Sequence, residues 1–346
     1  MEMSTRGLKR GRSRRCAPVL IALLPLALAC SCGSPGRPGL TVYTYDSFVS
    51  EWGPGPRIAT LFEKSTGIKV SLVSKGDAGQ LLSSLLLEKD KPRADLAIGI
   101  DNLLAPKALA AGLFSPYRPA PAADIPPELI LDKDWRLSPY DYGHFAIIWD
   151  SERLAAPPAS LEELTLPKYA RKLIIMDPRT STPGLGLLAW SQAVYGQQWR
   201  GFWKRLRPSV LAMTPGWDSG YGLFTKGEAP LVLSYATSPA YHKEAERSER
   251  YKALSFPEGH VMQIEGAGIL AGAARRRDAE KFMDFLLSPA CQSELPATQW
   301  MYPANPKASL PASFSAALRP ALTLALDPAR PAADAVEAAE ILSAER

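Results

Sequence analysis

Aromatic rings, hydroxyls and carboxylates crowd into four short turns of this 346-residue chain. The first runs Tyr43-Thr-Tyr-Asp-Ser-Phe48 and continues into Trp52-Gly-Pro-Gly-Pro56. Strand alternation sets Tyr43 and Tyr45 on one face and turns Asp46 and Ser47 toward the strand end. Packing in a core is the alternative for both tyrosines, and a helix cap the alternative for Asp46. The second turn is Asp177-Pro-Arg-Thr-Ser-Thr-Pro-Gly184. Here Thr182 reads as an N-cap with Pro183 at the first helical position. The helix N–H groups and the hydroxyls of Thr180, Ser181 and Thr182 form a seat for a phosphate or another anion. Capping alone accounts for Thr182-Pro183, but not for three consecutive hydroxyls.

The third turn, Ser234-Tyr-Ala-Thr-Ser-Pro-Ala-Tyr241, repeats the device with Ser238 as cap before Pro239, flanked by Tyr235 and Tyr241. The fourth feature is a pair of tryptophans outside obvious helix cores, Trp217 and Trp300. Aromatic faces attract organic cations by about 0.5–2 kcal/mol per well-placed ring. Trp190, Trp199 and Trp203 fall at helical spacing and read as packing residues. His144, His242 and His260 are scattered without metal-ligand spacing, so neither a metal nor a cofactor is expected. The chain has no Gly-Lys-Ser/Thr phosphate loop, no nucleophile elbow and no adjacent tyrosine pair of the kind that holds ferric ion. An enzyme is not expected.

The turns need a scaffold, and the pattern from Leu40 supplies one by alternating short β runs with helical segments. Strands are expected at 40–45, 68–74, 94–98, 145–149, 172–176, 210–213, 229–234 and 261–269. Helices are expected at 57–65, 79–89, 160–164, 185–195, 220–226, 279–287 and 332–346. A Pro-rich surface segment separates the blocks at Pro116–Pro127. Strands near 143–150 and 259–269 predict two crossings between lobes and a cleft that closes on a ligand. The lobes would be 40–145 with 263–346, the latter including a closing helix, and 146–262. One large α/β domain fits the periodicity equally well. Ligands of open α/β sheets gather at the carboxyl ends of the strands, where all the polar turns fall.

Charge excludes a nucleic-acid partner. Residues 1–29 hold six basic side chains and Glu2; taking these from 40 Lys and Arg and 35 Asp and Glu leaves 34 of each. A nucleic-acid binder keeps a basic excess in its folded part. The early residues read as a secretory signal: a basic stretch, an apolar run from Ala17 to Ala29, then small residues. The run is shorter than the ~20 residues a spanning helix needs. Ala27-Leu28-Ala29-Cys30 resembles a loose lipobox, with Ala27 in place of the usual branched residue, so lipid on Cys30 and a tether over 30–39 are expected. Cys32 is a second candidate, and plain cleavage to a soluble periplasmic product is the alternative. Of the remaining cysteines, Cys16 lies in the signal and Cys291 reads as a buried thiol.

These segments, with Leu233-Ser-Tyr235, Thr237-Ser-Pro-Ala-Tyr241 and Trp300-Met-Tyr-Pro303, resemble the periplasmic thiamine-binding receptors of ABC transporters over about residues 40–325. The resemblance implies a two-lobed α/β periplasmic binding-protein fold with two crossover strands. It places ligand contacts on Asp77, Ala78, Ser181, Thr182, Trp217, Tyr235, Ala236, Thr237 and Ser238, beside Tyr45, Asp46, Tyr241 and Trp300. It implies a monomer that takes thiamine or its mono- or pyrophosphate and delivers it to an ABC permease and its ATPase. Ala78 and Ala236 stand where the family carries glycine and threonine, and His144 where tyrosine is expected; Lys75 would favour phosphorylated forms. The competing functions are a thiamine-degrading transferase, which would need a cysteine in the cleft, and a receptor for another organic cation or phosphate ester.

Overall fold

The computed structural model describes residues 39–344; the expected leader, Cys16, Cys30 and Cys32 lie outside them. The chain opens with β1 (Leu40–Thr44), α1 (Asp46–Val49), α2 (Pro54–Thr66), β2 (Val70–Ser74), α3 (Ala78–Leu87), β3 (Leu96–Asp101), α4 (Ala105–Ala110) and β4 (Phe114–Ser115). A long strand β5 (Ser138–Asp150) leads to β6 (Leu173–Met176), α5 (Thr182–Tyr195), α6 (Trp199–Leu206), β7 (Val210–Thr214), α7 (Trp217–Thr225), β8 (Leu231–Tyr235), α8 (Ser238–Ala245) and β9 (Tyr251–Ala253). It closes with β10 (Met262–Leu270), α9 (Arg276–Leu286), α10 (Pro289–Gln292), α11 (Leu295–Thr298), β11 (Tyr302–Pro303) and α12 (Arg330–Ser343).

Local chemistry explains the boundaries. Helix α2 starts with proline in its first turn and stops at Gly67, whose φ of 72° lets its N–H bond Glu63 O at 2.7 Å. Helix α3 starts at Asp77, which forms a capping box with Gln80. Strands β1 and β6 are buried along their whole length, as parallel strands covered on both faces must be.

The main sheet path runs β2-β1-β3-β10-β5-β8-β6-β7. β5 joins its halves. Residues 138–144 pair with β10, and residues 145–149 pair with β8. The sequence pattern showed only Phe145–Trp149, because Pro139, Asp141 and Gly143 interrupt the apolar signal of the first part. β10 pairs with β3, β4 and β5 within the first half. The second passage therefore falls in the segment between β9 and β10, ahead of the expected strand.

Two helical expectations change. Residues 160–164 give a 3-10 turn at Glu162–Thr165, cut short by Pro167. The C-terminal helix α12 packs on α5 and α6, in the second half of the molecule rather than the first. Its buried Pro331, Ala335, Ala338 and Ala339 face those helices, and Arg200 pairs with Glu337. Trp190, Trp199 and Trp203 are fully buried, as their spacing predicted. Among the described residues no helix is long and apolar enough to cross a membrane.

Candidate functional site

The parallel strands of both halves aim their carboxyl ends at one cleft. A cavity of about 420 Å³ lies there, within the range of small-molecule sites. Of the expected contacts, Tyr45, Asp46, Asp77, Trp217, Tyr235, Thr237, Ser238, Tyr241 and Trp300 line it.

Tyr45 follows β1 and is buried, its ring lying against the backbone of Gly99. Gly99 has φ 104°, and a Cβ there would sit 2.2 Å from the tyrosine ring, so only glycine fits. The Tyr45 hydroxyl donates to Glu265 Oε2 at 2.8 Å and accepts from Gln299. Asp46 accepts from Ser74.

Asp77 connects the two halves. Its Oδ1 accepts from Ala78 N at 2.7 Å, while Oδ2 accepts from Ser181 Oγ at 2.7 Å and Trp217 N at 3.1 Å. Burial raises its carboxyl above the usual range, although all three bonds pull the other way.

Trp217 stacks on Tyr221 with ring centroids 4.9 Å apart, and its Nε1 donates to Ser234 Oγ at 2.8 Å. Tyr221 is held in turn by His242 at 2.8 Å. Trp52, from the turn before α2, tilts over Trp217 at 6.3 Å. Tyr241 meets Trp300 edge-to-face at 5.5 Å. The wall is thus a set of ring faces supplied by both halves.

Four expected contacts do not line the cavity. Ala78, Ser181, Thr182 and Ala236 are buried behind its wall. Ser181 is spent on Asp77, Thr182 donates to Asp101, and Thr180 Oγ1 donates to Pro215 O at 2.6 Å. The expected anion seat therefore has its hydroxyls engaged by the protein itself. The caps also shift by one residue: Ser181 and Thr237 precede α5 and α8, and neither makes a side-chain cap bond. Lys75 lies over the Tyr43 ring and pairs with Glu88, away from the cavity. His144 bonds Thr323 at 2.8 Å, and burial lowers its pKa to about 4.

Sequence reasoning missed several residues. Asp218, Tyr221, Gln299 and Met301 also line the cavity; Asp218 and Tyr221 lie in α7, which begins at Trp217. Beneath the floor, Asp101, Glu265 and Asp141 stand directly opposite one another across β3, β10 and β5. Opposed residues share a sheet face, so the three form a row. Burial pushes Asp101 up to about 6. The available signal was charge inside strongly apolar strands.

Among the described residues Asp46, Asp77 and Asp218 line the cavity, and no Lys, Arg or His does. Among the described residues no cluster of His, Cys, Asp and Glu could hold a metal. Cys291 is fully buried beside Phe282 and Leu286, and burial raises its thiol pKa far above the ordinary value. Among the described residues the cleft contains aromatic faces, carboxylates and hydroxyls, but no nucleophilic thiol.

Comparisons with known proteins agree with this arrangement. The profile of the family described as bacterial extracellular solute-binding protein matches residues 91–322. The thiamine-binding periplasmic protein of Brucella abortus biovar 1 (strain 9-941) is 46% identical over 311 residues, 89% of this chain and 91% of the relative. The thiamine-binding periplasmic protein of Escherichia coli (strain K12) is 43% identical, covering 90% and 94%. A solved structure titled periplasmic thiamin binding protein superposes with a TM-score of 0.83 at 41% identity, covering 91% of this chain and 98% of the other. The mixed α/β fold is that of the periplasmic binding proteins, a family of receptors and not of enzymes, and the chain belongs to the bacterial extracellular solute-binding proteins, in the branch of the periplasmic thiamine-binding proteins.

Proposed function

We propose that the protein captures thiamine in this cleft in the periplasm and delivers it to the permease of an ABC importer. One observation carries the reading: the cavity is walled by Tyr45, Trp217, Tyr235, Tyr241 and Trp300 and contains Asp46, Asp77 and Asp218, with no basic side chain among the described residues. Thiamine joins a cationic thiazolium to a flat aminopyrimidine. Ring faces suit both parts, and the carboxylates suit the charge. Residues 40–145 and 146–262 act as the two lobes, with the chain returning to the first after 262 and α12 docked on the second. Closure of the lobes on the ligand presents a surface to the permease.

Titration with thiamine, thiamine monophosphate and thiamine pyrophosphate tests the reading. Thiamine quenches tryptophan fluorescence with sub-micromolar affinity if it is right. Absence of binding by all three in calorimetry overturns it. Cys30 carries the lipid that tethers the mature chain; mass analysis of the membrane-extracted N-terminal peptide finds an acylated cysteine, and an unmodified, cleaved terminus rejects the tether.

A further inference from the structure

Asp141 and Glu265 face each other across β5 and β10, and Glu265 bonds Tyr45, which lines the cavity. Asp141 is completely buried, and neither of its carboxylate oxygens has a hydrogen-bond partner. Glu265 is almost as buried, but accepts from Tyr45 at 2.8 Å and also from Tyr140 and Gln263. The two carboxylates therefore differ sharply: one is solvated by protein donors and the other by nothing.

The groups facing the pair add to the difficulty. They are Asp101 on β3, Asp77 at the start of α3, Tyr45 after β1, Tyr140 on β5 and Tyr235 on β8. Each is acidic or neutral, and none is basic. An isolated buried carboxylate avoids ionisation, and two neighbouring ones cannot both ionise without a compensating charge.

We infer that the Asp141–Glu265 pair retains one proton in the empty protein and gives it up to solvent when a cationic ligand enters the cleft above. The pair then acts as a specificity determinant, exchanging its proton for the ligand's positive charge. A neutral ligand of the same shape brings no such charge, and the proton stays. Tyr45 couples the two places, because its ring lines the cavity and its hydroxyl bonds Glu265. Burial pushes Glu265 up to about 7 and Asp141 well above the carboxylate range, in the same direction. The sign follows: a cation lowers the pKa of the pair, so affinity is greatest at high pH and falls as pH drops through the raised pKa of the empty state.

The inference rests on the cleft being a thiamine site, and calorimetry separates the two claims. Thiamine is titrated into the intact protein at neutral pH in buffers of different ionisation enthalpy. The expected result is release of up to about one proton per thiamine, with Kd rising by up to about tenfold per pH unit lost below the window. Asp141→Asn removes most of the release and flattens the pH profile while thiamine still binds; Glu265→Gln, measured in parallel, guards against a misfolded variant. Binding with no buffer dependence, or equal release from Asp141→Asn, overturns the inference and leaves the thiamine reading intact. Absence of any binding overturns both.

Discussion

Asp77 and Ser181, 104 residues apart in the chain, share a hydrogen bond of 2.7 Å that ties the start of α3 to the start of α5. The same carboxylate oxygen takes the N–H of Trp217 at the start of α7. One side chain thus fixes the entry of three helices around the cleft. Asp77→Ala leaves the Ser181 hydroxyl and the Trp217 N–H without this acceptor, a loss of about 1–3 kcal/mol. Thermal unfolding and thiamine titration should both report the loss; unchanged affinity would remove Asp77 from the site.

Trp217 lines the cavity whereas Trp190 is fully buried and bonded to Gly259 O. Trp217→Phe should abolish most of the fluorescence change on thiamine addition and weaken binding about tenfold, within the range of a lost cation–π contact and hydrogen bond. Trp190→Phe should keep the ligand-induced change. Stopped titrations on both variants make the comparison.

Gly99→Ala should act on fold and site together. The added methyl meets the Tyr45 ring in a backbone region that side chains rarely adopt. A destabilisation of more than about 2 kcal/mol is expected in urea unfolding, with a parallel drop in thiamine affinity as Tyr45 moves.

The buried acids also set a pH dependence of stability. Asp141 and Glu265 have raised pKa values in the folded chain. As pH climbs past the ordinary carboxylate range the unfolded chain loses these protons first, so their contribution to stability declines as pH rises toward the raised folded values, about 7 for Glu265 and well above the carboxylate range for Asp141. Asp141→Asn, unable to ionise, should raise the melting temperature at pH ~8 by at least ~2 °C and have little effect at pH ~4.5. Differential scanning calorimetry at the two pH values gives the answer.

The legible parts of the molecule were those written in local chemistry. Apolar runs such as Leu173–Met176 announced their strands, and Thr182-Pro183 and Ser238-Pro239 announced helix starts to within one residue. Tyr45, Asp46, Trp217, Tyr235 and Tyr241 were legible because cleft residues follow strand ends. What the sequence hid depends on distant pairing. Nothing near Asp101, Asp141 or Glu265 says that three strands will bring them level. The fates of Ser181 and Thr182 likewise depend on Asp77 and Asp101, carboxylates 104 and 81 residues upstream in another part of the fold. The short strands β9 and β11 exist only because β5 is there to receive them.

The evenly balanced charge of residues 30–346 conceals an uneven distribution. With Asp46, Asp77 and Asp218 in the cavity and Asp101, Asp141 and Glu265 beneath it, the cleft is a local sink for positive charge. A field of this kind steers small cations inward before any contact is made, and dissolved salt screens it. The carboxylates thus act twice, first on how often a cation arrives and then, with the aromatic walls, on how long it stays.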